Sequence, residues 1–193
     1  MSSQVHGAQK FDQSKRTETV FSEDAMKTVQ TIISHYPPEK IRSALLPVLH
    51  VAQAEFGGWL SPETMDYVAS ILKIRPVEVF EVASFYTMYN LKPMGKCVLE
   101  ICQTSSCWLN GAEDIVKYIE KKLNIKVGET TKDGMFSLKV AECLGSCGTA
   151  PMLQCGASYH ENLTYEKVDT ILDNYKAEGK LKSYTDLDYK NTL

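Results

Sequence analysis

Cys97-Val-Leu-Glu-Ile-Cys102-Gln-Thr-Ser-Ser-Cys107 and Phe136-Ser-Leu-Lys-Val-Ala-Glu-Cys143-Leu-Gly-Ser-Cys147 decide the fold. Each stretch begins as a β-rich, alternating run that ends at a cysteine. Each then breaks into a short loop of small or glycine residues closed by a second cysteine. The strands are therefore expected over Cys97–Cys102 and from Phe136 to Cys143. Between them Ala112, Ile115, Val116 and Ile119 recur at helical spacing, so Asn110 to about Leu123 reads as a helix. Pro151 to Cys155 reads as a third strand and Tyr165 to Lys176 as a closing amphipathic helix. This is a small α/β unit whose connecting loops carry thiols.

Upstream the period changes. Lys92-Pro93-Met94-Gly95 has turn chemistry, and before it the apolar residues recur at helical spacing. Met26, Val29, Ile32 and Ile33 form the first stripe, stopped by Pro37-Pro38. A second helix is expected from Ile41 to Phe56, with Leu45, Leu49, Ala52 and Phe56 on one face. Pro47 either kinks it or marks its true start, and Gly57-Gly58 ends it. Ser61-Pro62-Glu63 opens a third helix carrying Met65, Val68, Ala69 and Leu72. Pro76 opens a fourth, Val77 to Met88, apolar nearly all round and so deeply buried or partner-facing. The expected fold class is α+β: a small helical bundle over 24–90, then the α/β domain over 91–179. The polar residues 1–23 are expected to form a flexible arm, and 180–193 an extended tail.

The chain has 193 residues and a formal net charge of −3, with no long basic run, which argues against a nucleic-acid partner. No apolar stretch approaches the roughly 20 residues that span a bilayer. Met1 to Arg16 lacks the apolar centre of a secretory signal. A reducing, cytoplasm-type compartment is expected. In that setting the six cysteines read as metal ligands or free thiols rather than disulfides.

Two thiol loops facing one another suit a metal, and their spacing favours a [2Fe–2S] cluster. Gly145, Gly148, Ser105 and Ser106 would let the backbone approach its negative charge, and the helix after Asn110 would aim its positive end toward Cys107. Structural zinc usually takes C-x2-C knuckles, which neither pair has, and a dithiol redox site would want the same spacing. A zinc-binding interaction module remains the alternative of another class. Cys97 to Cys102 is also C-x4-C, but the two differ by an odd number along a strand and face opposite sides. Cys97, with Leu99 and Ile101, and Cys155, mid-strand, are expected as packed thiols. His6, His35, His50 and His160 stand alone and are expected at the surface or in packing. Trp108 is expected to pack, with shielding of the cluster as the other role. No phosphate-binding loop or paired-carboxylate signal is present, so no catalytic residue is assigned.

Asp133-Gly-Met-Phe136-Ser137, five residues, then Cys143-Leu-Gly-Ser-Cys147-Gly-Thr-Ala150-Pro151 resembles the signature of the 24 kDa subunit family of respiratory complex I. Cys102 and Cys107 match that family's first two ligands. Val82-Ala-Ser-Phe85-Tyr86-Thr-Met-Tyr with Pro93 and Gly95, and Leu46 to Leu60 with Gln53 and Gly57, resemble its helical segments. The resemblance covers about 24–178. It implies a thioredoxin-like [2Fe–2S] ferredoxin domain with Cys102, Cys107, Cys143 and Cys147 as ligands. It implies an electron-transfer subunit of an NADH:quinone oxidoreductase, with FMN and NADH on a partner subunit only. A place in a larger respiratory complex follows, peripheral on the inner, cytoplasmic side of the membrane. The same module occurs in NAD-linked hydrogenases and formate dehydrogenases, which is the alternative parent.

Overall fold

The computed structural model describes residues 19–178. The expected tail, 180–193, and the expected arm up to residue 18 lie outside them. The end of the arm is not free: Phe21 is buried and stacks on Phe56 at 5.2 Å. Ser22 caps the first helix, its hydroxyl accepting from the Ala25 N–H.

Four helices come first: α1 (Glu23–Ser34), α2 (Leu45–Glu55), α3 (Pro62–Leu72) and α4 (Pro76–Phe85). The second helix starts later than Ile41. A 3-10 segment, Pro38–Ala44, precedes it, and Pro47 falls in the first turn of α2. There a missing N–H leaves no helical bond unmade. Ser61 caps α3 through the Thr64 N–H, and Lys73 closes it in the left-handed conformation. The fourth helix stops at Phe85 rather than Met88, because Tyr86 turns to extended backbone. It buries only Val79 and Ala83 of its ten residues, while Phe80 is 51% and Phe85 77% exposed. The expectation of a deeply buried helix fails, since most of its residues are exposed. Val29, Leu49, Leu60, Val68 and Leu72 belong to the helical core.

The second part contains β1 (Cys97–Cys102), α5 (Ser105–Leu109), α6 (Ala112–Leu123), β2 (Phe136–Ala141), β3 (Leu153–Cys155), β4 (Ser158–His160) and α7 (Tyr165–Glu178). The sheet order is β2-β1-β3-β4. β1 and β2 are parallel and in register from Cys97↔Phe136 to Cys102↔Ala141. Parallel strands end at the same sheet edge, so both thiol loops leave from one side. β3 runs antiparallel to β1 and returns from that edge; the Cys102 N–H donates to the Met152 carbonyl at 3.2 Å. Leu99, Ile101, Phe136 and Leu138 share a core with Ile115 and Ile119 of α6 and Ile171 and Leu172 of α7. Acids in the first turn of α6 and lysines in its last complement its dipole.

Two local expectations are corrected, and one strand is added. The first thiol loop folds into α5 around Cys107, and α6 starts only after Gly111 at φ +88°. β2 stops at Ala141, two residues before Cys143. β4 gives no sequence signal because its three residues lack an apolar alternation; a turn at Gly156 pairs it with β3.

Cys97 and Cys155 are fully buried, as expected, but they are joined in a disulfide rather than packed as free thiols. The reason is register. Cys155 sits opposite Leu99, one same-face step from Cys97, and the Cα atoms are 6.3 Å apart, inside the range a bridge spans.

A hydrogen-bond relay joins the two parts. The Gln53 side chain donates to the Met88 carbonyl and accepts from the Asn90 N–H. The Asn90 amide donates to the Gly58 carbonyl and accepts from Lys139 on β2. Lys139 also pairs with Glu100 of β1 at 2.9 Å. Gln53, which carried part of the family resemblance, therefore positions the chain leaving α4.

Candidate metal centre

Cys102 ends β1 and Cys107 lies in α5; both are buried. Cys143 and Cys147 belong to the returning loop and are exposed. The Cys143 and Cys147 sulfurs are 3.5 Å apart. Cys102 shares a hydrogen bond with Cys107, and its charge is felt at Cys143 and Cys147. All four predicted ligands thus converge on the sheet edge.

The thiols are electrostatically paired. Burial alone would raise Cys102, yet the Thr104 hydroxyl and N–H, the Leu144 N–H and the Cys107 thiol hold it below the ordinary thiol value. Burial, followed by the Cys102 bond, pushes Cys107 up to about 11. The Gly145 N–H and the Cys147 thiol lower Cys143, and Cys143 in turn raises Cys147. Each pair contains one thiolate-prone sulfur and one that donates to it. Gly145 supplies its N–H at φ +86°, a conformation that favours glycine.

The loops are tied to one another and to the hairpin. Ser106 donates to the Cys147 carbonyl at 2.8 Å, and Tyr159 to the Leu144 carbonyl at 2.7 Å. Thr104 lies 3.3 Å from the Cys102 sulfur and also bonds to Cys143. Thr104, Ser106 and Tyr159 have no signal in the sequence beyond their place near the loops. Ser106, read as a small residue for close approach, also tethers the second loop. Trp108 and Leu109 do not pack: they are 60% and 74% exposed. His35 ends α1, His50 lies against Tyr89 and His160 bonds to Tyr175, all apart from the thiols; His6 lies outside the described residues.

Tetrahedral ligation at a metal–sulfur distance of about 2.3 Å puts thiolates about 3.8 Å apart. The Cys143–Cys147 pair is near that spacing. Among the described residues no group of three or more His, Cys, Asp or Glu gathers for a single metal ion.

A thioredoxin-like sheet with two thiol loops at one edge defines a class, the thioredoxin-like [2Fe-2S] ferredoxins, whose family description matches residues 29–176. The chain is 44% identical over 164 residues to an NADH-quinone oxidoreductase subunit of Rickettsia felis, covering 85% of this chain and 98% of that protein. It is 45% identical over 162 residues to the corresponding protein of Rickettsia prowazekii, covering 84% and 92%. It is 40% identical to NADH dehydrogenase [ubiquinone] flavoprotein 2, mitochondrial, of Dictyostelium discoideum, covering 86% and 67%. The chain belongs to the thioredoxin-like [2Fe-2S] ferredoxin family and is a close homologue of these NADH-quinone oxidoreductase subunits. The solved NAD+-reducing [NiFe]-hydrogenase in the air-oxidized state shares its fold, with a TM-score of 0.59 at 18% identity, over 69% of this chain and 23% of that one. Among the described residues no helix is long and apolar enough to cross a membrane.

Proposed function

We propose that this chain is the electron-transfer subunit of an NADH:quinone oxidoreductase. It holds a [2Fe–2S] cluster on Cys102, Cys107, Cys143 and Cys147 and exchanges single electrons with flavin in a partner subunit that also binds NADH. One observation carries the reading. Four thiols converge at one sheet edge in a chain that spans 91–98% of the length of its Rickettsia relatives.

When bound, the cluster supplies one-electron chemistry, whereas NADH gives up a hydride and flavin divides the pair. Cys102 and Cys107 hold the buried side, Cys143 and Cys147 the outer side. The N–H groups of Leu144, Gly145 and Met152 donate to Cys102, Cys143 and Cys107, offsetting negative charge on sulfur. Thr104 adds a hydroxyl between the two pairs. Trp108 and Leu109 give the centre an apolar rim against which a partner can exclude water. The exposed face of α4, with Val77, Phe80, Phe85 and Tyr86, is a second contact for the flavin subunit. In this reading 24–90 and 91–179 act as two domains, one for docking and one for the cluster. The complex keeps the chain peripheral, on the inner, cytoplasmic side of the membrane.

Absorbance and EPR spectra of the purified protein before and after dithionite test this. The expected result is a coloured protein whose EPR signal appears on reduction with one electron per chain, and which alone does not oxidise NADH. Replacing any of the four ligands by Ser should empty the site. A colourless, zinc-loaded protein, or tight NADH binding to this chain alone, would overturn the proposal.

A further inference from the structure

Residues 141–150, the loop that carries Cys143 and Cys147, include no fully buried residue; only Leu144 and Ala150, both half-buried, pack against the core. Glu161, just beyond β4, adds a polar anchor. Its Oε1 accepts from the Thr149 hydroxyl at 2.7 Å and from the Ser146 hydroxyl. Those two hydroxyls are themselves 2.7 Å apart. Next to Glu161, the Asn162 N–H donates to the Thr149 carbonyl at 2.7 Å, and Lys167 donates to the Glu161 carbonyl. One carboxylate oxygen thus clasps both flanks of the Cys147–Thr149 turn, one residue before Cys147 and two after it. No ordinary motif flags this glutamate, and it touches no thiol.

We propose that Glu161 is a positioning residue for the electron-transfer centre. Its carboxylate latches the Cys143–Cys147 loop and, offset in part by the Lys167 ammonium, sets a negative charge beside the site, which opposes addition of an electron. The inference rests on the [2Fe–2S] reading above. A latch acts through geometry and a charge acts through the field, so different substitutions separate them. Glu161→Gln keeps an acceptor oxygen for Ser146 and Thr149 and removes the charge. Glu161→Ala removes both. Thr149→Val keeps the charge and removes one bond.

The test uses the full chain with its cluster. Two quantities are measured: the half-time of visible-absorbance loss under the iron chelator bathophenanthroline, and the midpoint potential from an EPR-monitored dithionite titration. Glu161→Ala should lose absorbance at least about fivefold faster than wild type, the scale of losing one or two net hydrogen bonds. Thr149→Val should also be faster, with its midpoint unmoved. Glu161→Gln should keep its absorbance close to wild type yet show a raised midpoint, because a nearby negative charge disfavours the reduced state. A purely structural role would change lifetimes without moving the Gln variant's midpoint. The proposal is overturned if Glu161→Ala bleaches less than about fivefold faster, or if Glu161→Gln titrates at the wild-type midpoint. Should Glu161→Ala fail to fold, the Gln and Val variants still decide. A wild-type protein with no [2Fe–2S] signal would instead defeat the cluster reading itself, and the latch with it.

Discussion

Lys139→Ala should uncouple the helical part from the sheet. Lys139 is the hub of the relay, donating to the Thr87 carbonyl at 2.8 Å, to the Asn90 Oδ1 at 3.1 Å and to Glu100 at 2.9 Å. Its side chain is 22% exposed and that of Glu100 17%. The pair is therefore neither a surface ion pair, worth about 0–1 kcal/mol, nor a fully buried one, whose rupture costs about 3–5 kcal/mol. Truncation strands the mostly buried Glu100 carboxylate and the Asn90 Oδ1, so a cost of about 2.5 kcal/mol is expected. In a chain of this size that corresponds to a fall in Tm of roughly 5–10 °C. Thermal and urea unfolding of the full chain measure it. Adding Glu100→Gln should recover part of the loss, since the stranded charge is then gone. A loss below about 0.5 kcal/mol would place Lys139 in the class of ordinary surface lysines. A double variant losing the plain sum of the two single effects would refute the coupling.

Replacing both Cys97 and Cys155 by Ala should leave the visible spectrum intact while costing about 2–4 kcal/mol of stability. The denatured, metal-free, unreduced wild type should show four alkylatable thiols out of six; six would mean the bond is not formed in solution. Asp169 is held below the usual carboxylate value by Lys122 and then by Tyr118. A depressed carboxylate contributes stability that is present above the ordinary Asp value, about 3.9, and is lost as pH falls through its folded value. Asp169→Asn should therefore lower Tm equally at neutral and mildly acid pH, and the gap from wild type should close at more acid pH; a gap constant into strong acid would contradict it. Phe85→Ser, at a side chain 77% exposed, should leave folding unchanged and weaken association with the flavin subunit by roughly 30-fold if this is a hot spot. Unchanged affinity in a titration with the purified partner would remove α4 from the interface.

What the sequence made legible followed from periodicity. β1 and the apolar stripes of α1, α3 and α6 stand where their spacing puts them, because alternation and helical recurrence are local properties. The four thiols were legible as two pairs for the same reason. What escaped depends on distant partners. The Cys97–Cys155 bond needs the β1–β3 register, which no local pattern encodes. β4 has no apolar alternation and exists only because Gly156 turns the chain back on β3. The end of the arm is a third case: Val20-Phe21 is a short apolar pair after a polar stretch, and Phe21 gains its role only when Phe56 and Tyr67 stack against it. Lys139 and Glu161 read as surface charges until the fold supplies their partners.

The four thiols do not face water equally: Cys102 and Cys107 are 2% exposed, while Cys143 and Cys147 lie open. Damage to such a site has a direction. A peroxide or a scavenging chelator arriving from solvent meets the outer pair first, and the inner pair is reached only through it or after the strands part. If the four thiols hold a cluster as proposed, its loss from a chain without its partner would begin at Cys143 and Cys147, with Cys102 and Cys107 the last to let go. A partner seated over the outer pair would then protect the weak side simply by being there.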